Sequence, residues 1–80
     1  MSMNELGSLA ICLLRAQEYV SAQDMLEGID KVSYKQKKRK YLDKLLDMGA
    51  ILMTIPDKPT SKNQKYILSD IGNDIVHKQQ

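Results

Sequence analysis

The chain has no tryptophan and no phenylalanine, and its only aromatics are four tyrosines. Its core must therefore come from Leu, Ile and Met, and an aromatic platform that stacks single-stranded bases is excluded. There is one cysteine, Cys12, inside the apolar run LAICLL. One thiol makes neither an intrachain disulfide nor a metal cage, so Cys12 reads as a small buried hydrophobe in a reducing, cytoplasmic setting. That run, Leu9–Leu14, is the longest apolar stretch, and it is too short to span a membrane. The single histidine, His77, stands near the end of the chain with no partner that would make it an acid–base catalyst. No glycine-rich phosphate loop occurs. The expectation is a non-enzyme with no cofactor and no metal.

What is present is enough for one small domain spanning residues 1–80. The apolar fraction is 42% and the charged fraction 28%, both ordinary for a soluble fold. A chain of this size buries roughly 60–65% of its unfolded surface, so the core is modest. Net charge is only +2, but it is unevenly spread. Residues 33–48 hold Lys35, Lys37, Lys38, Arg39, Lys40 and Lys44 against Asp43 and Asp47. Residues 57–65 hold Lys58, Lys62 and Lys65 against Asp57. The rest of the chain is acidic.

Periodicity divides the chain into elements. In residues 4–17 apolar side chains at 6, 9, 10, 13 and 14 follow the helical template, widened by Ile11 and Cys12. Tyr19-Val20 reads as a short extended link. Ser21 is placed to cap a second helix, which offers Met25, Leu26 and Ile29 to the core and ends at Gly28 and Asp30. Ser33 and Gln36 have capping-box spacing at the start of a third helix, which runs to Met48 with Gly49 as its left-handed terminator. On that helix Tyr34, Tyr41, Leu42, Leu45 and Leu46 share the core side, and Lys38 projects toward it as well. Ile51, Met53 and Ile55 alternate as a strand that Pro56 stops. Tyr66-Ile67-Leu68 forms an antiparallel partner strand. Ser69 caps a last helix, from which Ile71, Ile75 and Val76 return to the core.

A helix–turn–helix followed by a hairpin is the winged-helix arrangement. The expected class is α+β, mostly α: a three-helix core, a β-hairpin wing at residues 56–65 and a short C-terminal helix. The segment from Tyr41 to Gly72 carries a more specific signal. Tyr41, Leu42, Leu45, Leu46, Gly49, Ile51, Thr54, Ile55, Pro56, Lys58, Pro59, Ser61, Gln64, Tyr66, Leu68 and Gly72 match a recurrent pattern, with Ser69 where threonine is usual. In this it resembles the winged-helix domain at the C-terminal end of bacterial Fic-family proteins. It is also similar to domains that follow the AlbA-type domain of predicted transcriptional regulators, often described as helicase-like. The resemblance implies a helix–turn–helix accessory domain, either free-standing or part of a longer chain. It does not imply AMP transfer, which needs a histidine-containing phosphate loop that this sequence lacks.

The expected partner is double-stranded DNA. The third helix gathers its cations in its first half, which suits a helix that enters a major groove by its N-terminal end. Gln36, Arg39 and Lys40 lie opposite the core stripe, where Gln and Arg can read base edges. Lys35 and Lys37 flank them and suit phosphates. On the wing, Lys58, Lys62, Asn63 and Lys65 are the candidate contacts, with Thr54, Ser61 and Gln64 either joining them or bracing the loop. The two basic stretches are expected on one flank. A competing reading pairs Arg39 or Lys40 with Asp43, and Lys44 with Asp47, as surface ion pairs. The alternative function is a protein-interaction or dimerisation module, docked on a second copy or on a neighbouring domain of a parent chain.

Overall fold

A computed structural model describes residues 2–78. Its elements are α1 (Met3–Arg15), α2 (Ala22–Leu26), α3 (Tyr34–Lys37), a π-helical segment (Lys38–Leu42), α4 (Asp43–Asp47), β1 (Ile51–Met53), β2 (Tyr66–Leu68) and α5 (Asp70–Lys78). The middle three run on without a break as one helical rod, 34–47. The strands pair antiparallel with Ile51 opposite Leu68 and Met53 opposite Tyr66. On the other side of β2, Val20 makes a single antiparallel bridge to Tyr66, through bonds of 3.0 and 2.8 Å. This is an α+β, mostly helical, winged-helix-like fold.

Local chemistry starts and stops the helices. Ser21, Ser33 and Ser69 each accept a hydrogen bond from the amide three residues on, at 3.1, 3.2 and 3.1 Å, and so satisfy one orphan donor of a first turn. Gly28 and Gly49 have φ of 73°, the left-handed conformation that ends a helix at little steric cost to glycine. Gly49 donates to Leu46 and Ala50 to Leu45, closing the 34–47 rod. The second helix is shorter than its periodicity suggests, because Glu27 is already extended.

The core collects Leu9, Cys12, Leu13 and Ala16 from α1, Met25 and Leu26 from α2, Tyr41, Leu42 and Leu45 from the rod, and Ile51, Tyr66, Leu68 and Val76 from the rest. Cys12 is fully buried, and burial pushes its thiol up to about 11, so it behaves as an inert hydrophobe. The buried face of α1 differs from the expected stripe. It runs through 9, 12, 13 and 16, while Leu6, Ile11 and Leu14 stay about half exposed. Both stripes are legitimate helical spacings, and the position of α2 and the rod decides between them. Tyr34 and Ile71, also expected in the core, are 45% and 53% exposed.

Gly72 explains why Ile71 stays outside. It is buried on α5 along with Val76, and a Cβ built on it would lie 2.0 Å from the Ala50 carbonyl oxygen and 2.8 Å from Leu68 Cδ2. The backbone of α5 thus rests directly on the turn between the rod and β1. Gly72→Ala is expected to destabilise the domain by about 3 kcal/mol in a urea titration, since the obstruction is backbone and cannot swing away. Gly7→Ala, whose Cβ would meet nothing within 4 Å, is expected to stabilise α1 by about 0.5–1 kcal/mol.

Candidate nucleic-acid interface

The connection between the strands is braced from within. Thr54 and Lys65 extend the hairpin by one pair: the Thr54 amide donates to the Lys65 carbonyl at 3.0 Å, and the Lys65 amide to Thr54 Oγ1 at 3.1 Å. Gln64 is 5% exposed and its side-chain amide is fully engaged. Its Oε1 accepts from the Ile55 amide at 2.9 Å, and its Nε2 donates to the carbonyls of Ile55 (2.6 Å) and Lys58 (3.1 Å). Ser61 Oγ accepts from the Asn63 amide at 3.2 Å. Thr54, Ser61 and Gln64 therefore shape the loop. Lys58, Lys62, Asn63 and Lys65 are left on its outside, all exposed.

The helix residues divide among different surroundings. Gln36, Arg39 and Lys40 line one open notch together with Val32. Lys37 turns back and donates to the Leu26 carbonyl at 3.4 Å. There it joins Arg15, whose guanidinium donates to the carbonyls of Asp24, Met25 and Glu27 at 3.3, 3.1 and 2.6 Å. Two cations thus sit on the carbonyl end of α2, where positive charge is favoured. Lys35 is exposed.

Lys40 is exposed but tied to partners within the chain. Its Nζ lies 3.1 Å from Asp30 Oδ2 and 4.0 Å from Glu5 Oε1. Asp30 has φ of 62°, a left-handed conformation that aspartate tolerates better than most residues. Its carboxylate accepts from the Tyr41 hydroxyl and the Lys31 amide, each at 2.7 Å, as well as from Lys40. The Tyr41 bond, then the Lys31 amide and the Lys40 ammonium, hold the Asp30 carboxyl down at about 2. The same bond to Asp30 raises the Lys40 pKa. Among the described residues, the ion pairs are those two of Lys40. The competing reading, which pairs Arg39 or Lys40 with Asp43 and Lys44 with Asp47, is not met among the described residues.

Lys38, expected against the core, is the helix residue that meets the wing. It lies half-buried, with its Nζ 5.6 Å from the centre of the Tyr34 ring. Tyr34 and Lys38 of the rod, Ser61 and Lys62 of the wing, and Ser21 and Gln23 together line one groove of about 220 Å³. The two basic stretches do approach one another, but through Lys38 and Lys62. The missed signal was a tyrosine and a lysine four residues apart, a spacing that stacks side chains on one helix face.

Two outcomes test these contacts. The stability that Asp30 supplies is full above its ordinary value of 3.8 and is lost as pH falls through about 2. Asp30→Asn keeps the left-handed backbone acceptable, so the stability gap between wild type and variant should be widest near neutral pH and should close on acidification across that window, followed by urea melts. Gln64→Ala should speed hydrogen exchange of the Ile55 amide by at least about tenfold, the loss of about one buried hydrogen bond. The Leu68 amide, bonded to the Ala16 carbonyl at 2.9 Å, should report only the change in global stability.

Neither curated proteins nor solved structures show a significant similarity to the chain. A family model does match, that of the filamentation induced by cAMP protein Fic-like, C-terminal domain, over residues 8–69. The match takes in the second half of α1, α2, the whole rod, both strands and the wing, and it ends on the serine that caps α5. The chain belongs to the family of Fic-like C-terminal domains, a non-catalytic, winged-helix-like domain.

Proposed function

We propose that this domain binds double-stranded DNA as a non-catalytic winged-helix module in transcription regulation. The first half of the rod enters the major groove and the wing, residues 56–65, lies along the backbone beside it. The observation that carries this reading is the shared groove: a lysine of the rod and a lysine of the wing line one cavity on one side of the molecule. Arg39 and Gln36, together in a second notch on the rod, are the base-reading pair. Lys35, Lys58 and Lys65 are exposed and suit phosphates, with Asn63 as a neutral donor. Lys37 and Lys40 contribute less, because each already has an intramolecular partner.

A second reading is favoured by a different surface. Leu6, Ala10, Leu45, Met48 and Ile75 line an apolar groove of about 310 Å³ among α1, α4 and α5. Met3, 86% exposed, and the half-exposed Ile71 add apolar area on the same two helices, α1 and α5. A second copy or a neighbouring domain could cover this face, and such a surface is unusual on a domain that acts alone.

One titration separates the two. Each neutralised phosphate contributes about −0.9 to the slope of log affinity against log salt. With Lys35, Lys38, Lys58, Lys62 and Lys65 engaged on phosphates, random duplex DNA should give a slope of about −4 to −5. Amide shifts should concentrate at residues 33–40 and 57–65. A flat salt response, with concentration-dependent shifts on α1 and α5, would replace the first reading by the second.

A further inference from the structure

The groove between rod and wing brings together one cation from each. It is a recess lined by Lys38 and Lys62 with Ser21, Gln23 and Ser61, whereas Lys37 and Lys40 already have partners within the chain. Lys38 is held against the Tyr34 ring, so its ammonium has a fixed position and part of its hydration is already removed. Lys62 is carried by a loop whose path Gln64 fixes through three side-chain bonds. Neither ammonium meets a carboxylate among the described residues. The recess is therefore cationic, prepared in advance and without an anion of its own.

The neutral groups in the recess are also poised as donors. Ser21 Oγ accepts from the Asp24 amide, which leaves its proton to give. Ser61 Oγ accepts from the Asn63 amide and is in the same state. Gln23 is exposed at the start of α2. Gln64, which also borders the recess, has both amide hydrogens committed to loop carbonyls and does not compete. Two cations with a small set of hydroxyl and amide donors match the oxygens of a single phosphodiester.

Resting on the DNA-binding reading above, we propose that this recess seats one backbone phosphate of the duplex, gripped between Lys38 and Lys62 with Ser21 and Gln23 as neutral donors. This phosphate would set the register of the domain on DNA. It is the one point where rod and wing hold the same group, so it fixes the depth and angle at which Arg39 and Gln36 meet the bases. The recess is open at the surface and carries only two cations, which suits a phosphate within a chain. A free nucleoside triphosphate, with several charges, calls for a denser and more enclosed cradle.

The test uses the full chain, random duplex DNA and five proteins: wild type, Lys38→Gln, Lys62→Gln, the double variant Lys38→Gln/Lys62→Gln and Lys78→Gln. Affinity is measured across a series of salt concentrations. Because the two lysines hold one phosphate, the double variant should make the slope shallower by about 0.9, whereas lysines on two separate phosphates would cost about 1.8. Lys78→Gln, at the end of α5 and outside the recess, should keep the wild-type slope. Lys62 is exposed on the wing, so its variant keeps the fold. Where the Lys38 variants do not fold, Lys62→Gln decides: it should remove the DNA-induced shifts of the Ser21 and Gln23 amides. A double variant that leaves a steep wild-type slope unchanged or makes it shallower by about 1.8, or Ser21 and Gln23 shifts that Lys62→Gln leaves in place, overturns the phosphate seat while leaving DNA binding intact. A wild-type protein with no salt-dependent binding overturns both, and the two failures are told apart by the wild-type titration alone.

Discussion

The contact on which the rest depends is the junction between the end of the rod and the start of α5. Gly49 and Ala50 turn the chain from the rod into β1. Ser69, at the end of β2, donates its hydroxyl proton to the Gly49 carbonyl, and its amide donates to the Ala50 carbonyl at 3.0 Å. The same hydroxyl oxygen accepts from the Gly72 amide at 3.1 Å and so caps α5. One serine therefore ties the exit of the rod, the entrance to β1, the exit of β2 and the first turn of α5. Ser69 is buried, and each of these backbone groups would otherwise be left without a partner away from water. The absence of a side chain at Gly72 lets the helix come close enough for the arrangement to close. Because the hairpin is anchored here, the wing can point only one way relative to the rod.

The features legible in the sequence were those governed by neighbouring residues. Serine caps and glycine terminators depend on offsets of one to four residues, and the structure has them where the sequence places them. Several features set by distant residues were not legible. The choice between two apolar stripes on α1 depends on where α2 and the rod lie, and nothing local favours 9, 12, 13 and 16 over 6, 9, 10, 13 and 14. Whether Gln64 braces the loop or joins its outer contacts stays open in the sequence, because its partners, Ile55 and Lys58, are nine and six positions away. Lys40 and Asp30 are ten residues apart and belong to different elements, so charge counting along the helix could not pair them.

The candidate site suffered from the same limitation in a sharper form. Helical periodicity gives the direction in which a side chain leaves the backbone, but long side chains end elsewhere. Lys37 and Lys40 leave from the basic half of the rod and end on a carbonyl and a carboxylate. Lys38 leaves toward the core side and ends at the wing. The basic cluster read from composition is thus three populations: cations that stabilise the fold, cations on open surface, and one that shares a recess with a second lysine.

The π-helical segment bears on that division. It covers Lys38–Leu42, and the Asp43 amide donates to the Lys38 carbonyl five residues back. A turn of this kind holds one residue more than an α-turn, so the residues before it are rotated relative to those after it. A uniform helical wheel assigns Tyr34 and Tyr41 to the same face, yet Tyr41 is 1% exposed and Tyr34 is 45% exposed. The rotation separates them. Tyr41 keeps its place in the core and brings its hydroxyl to Asp30, while Tyr34 and Lys38 turn out toward the wing. The widened turn thus serves both ends of the rod: its C-terminal half packs as an ordinary core helix, and its N-terminal half presents to the wing a face that regular α-helical geometry would have buried.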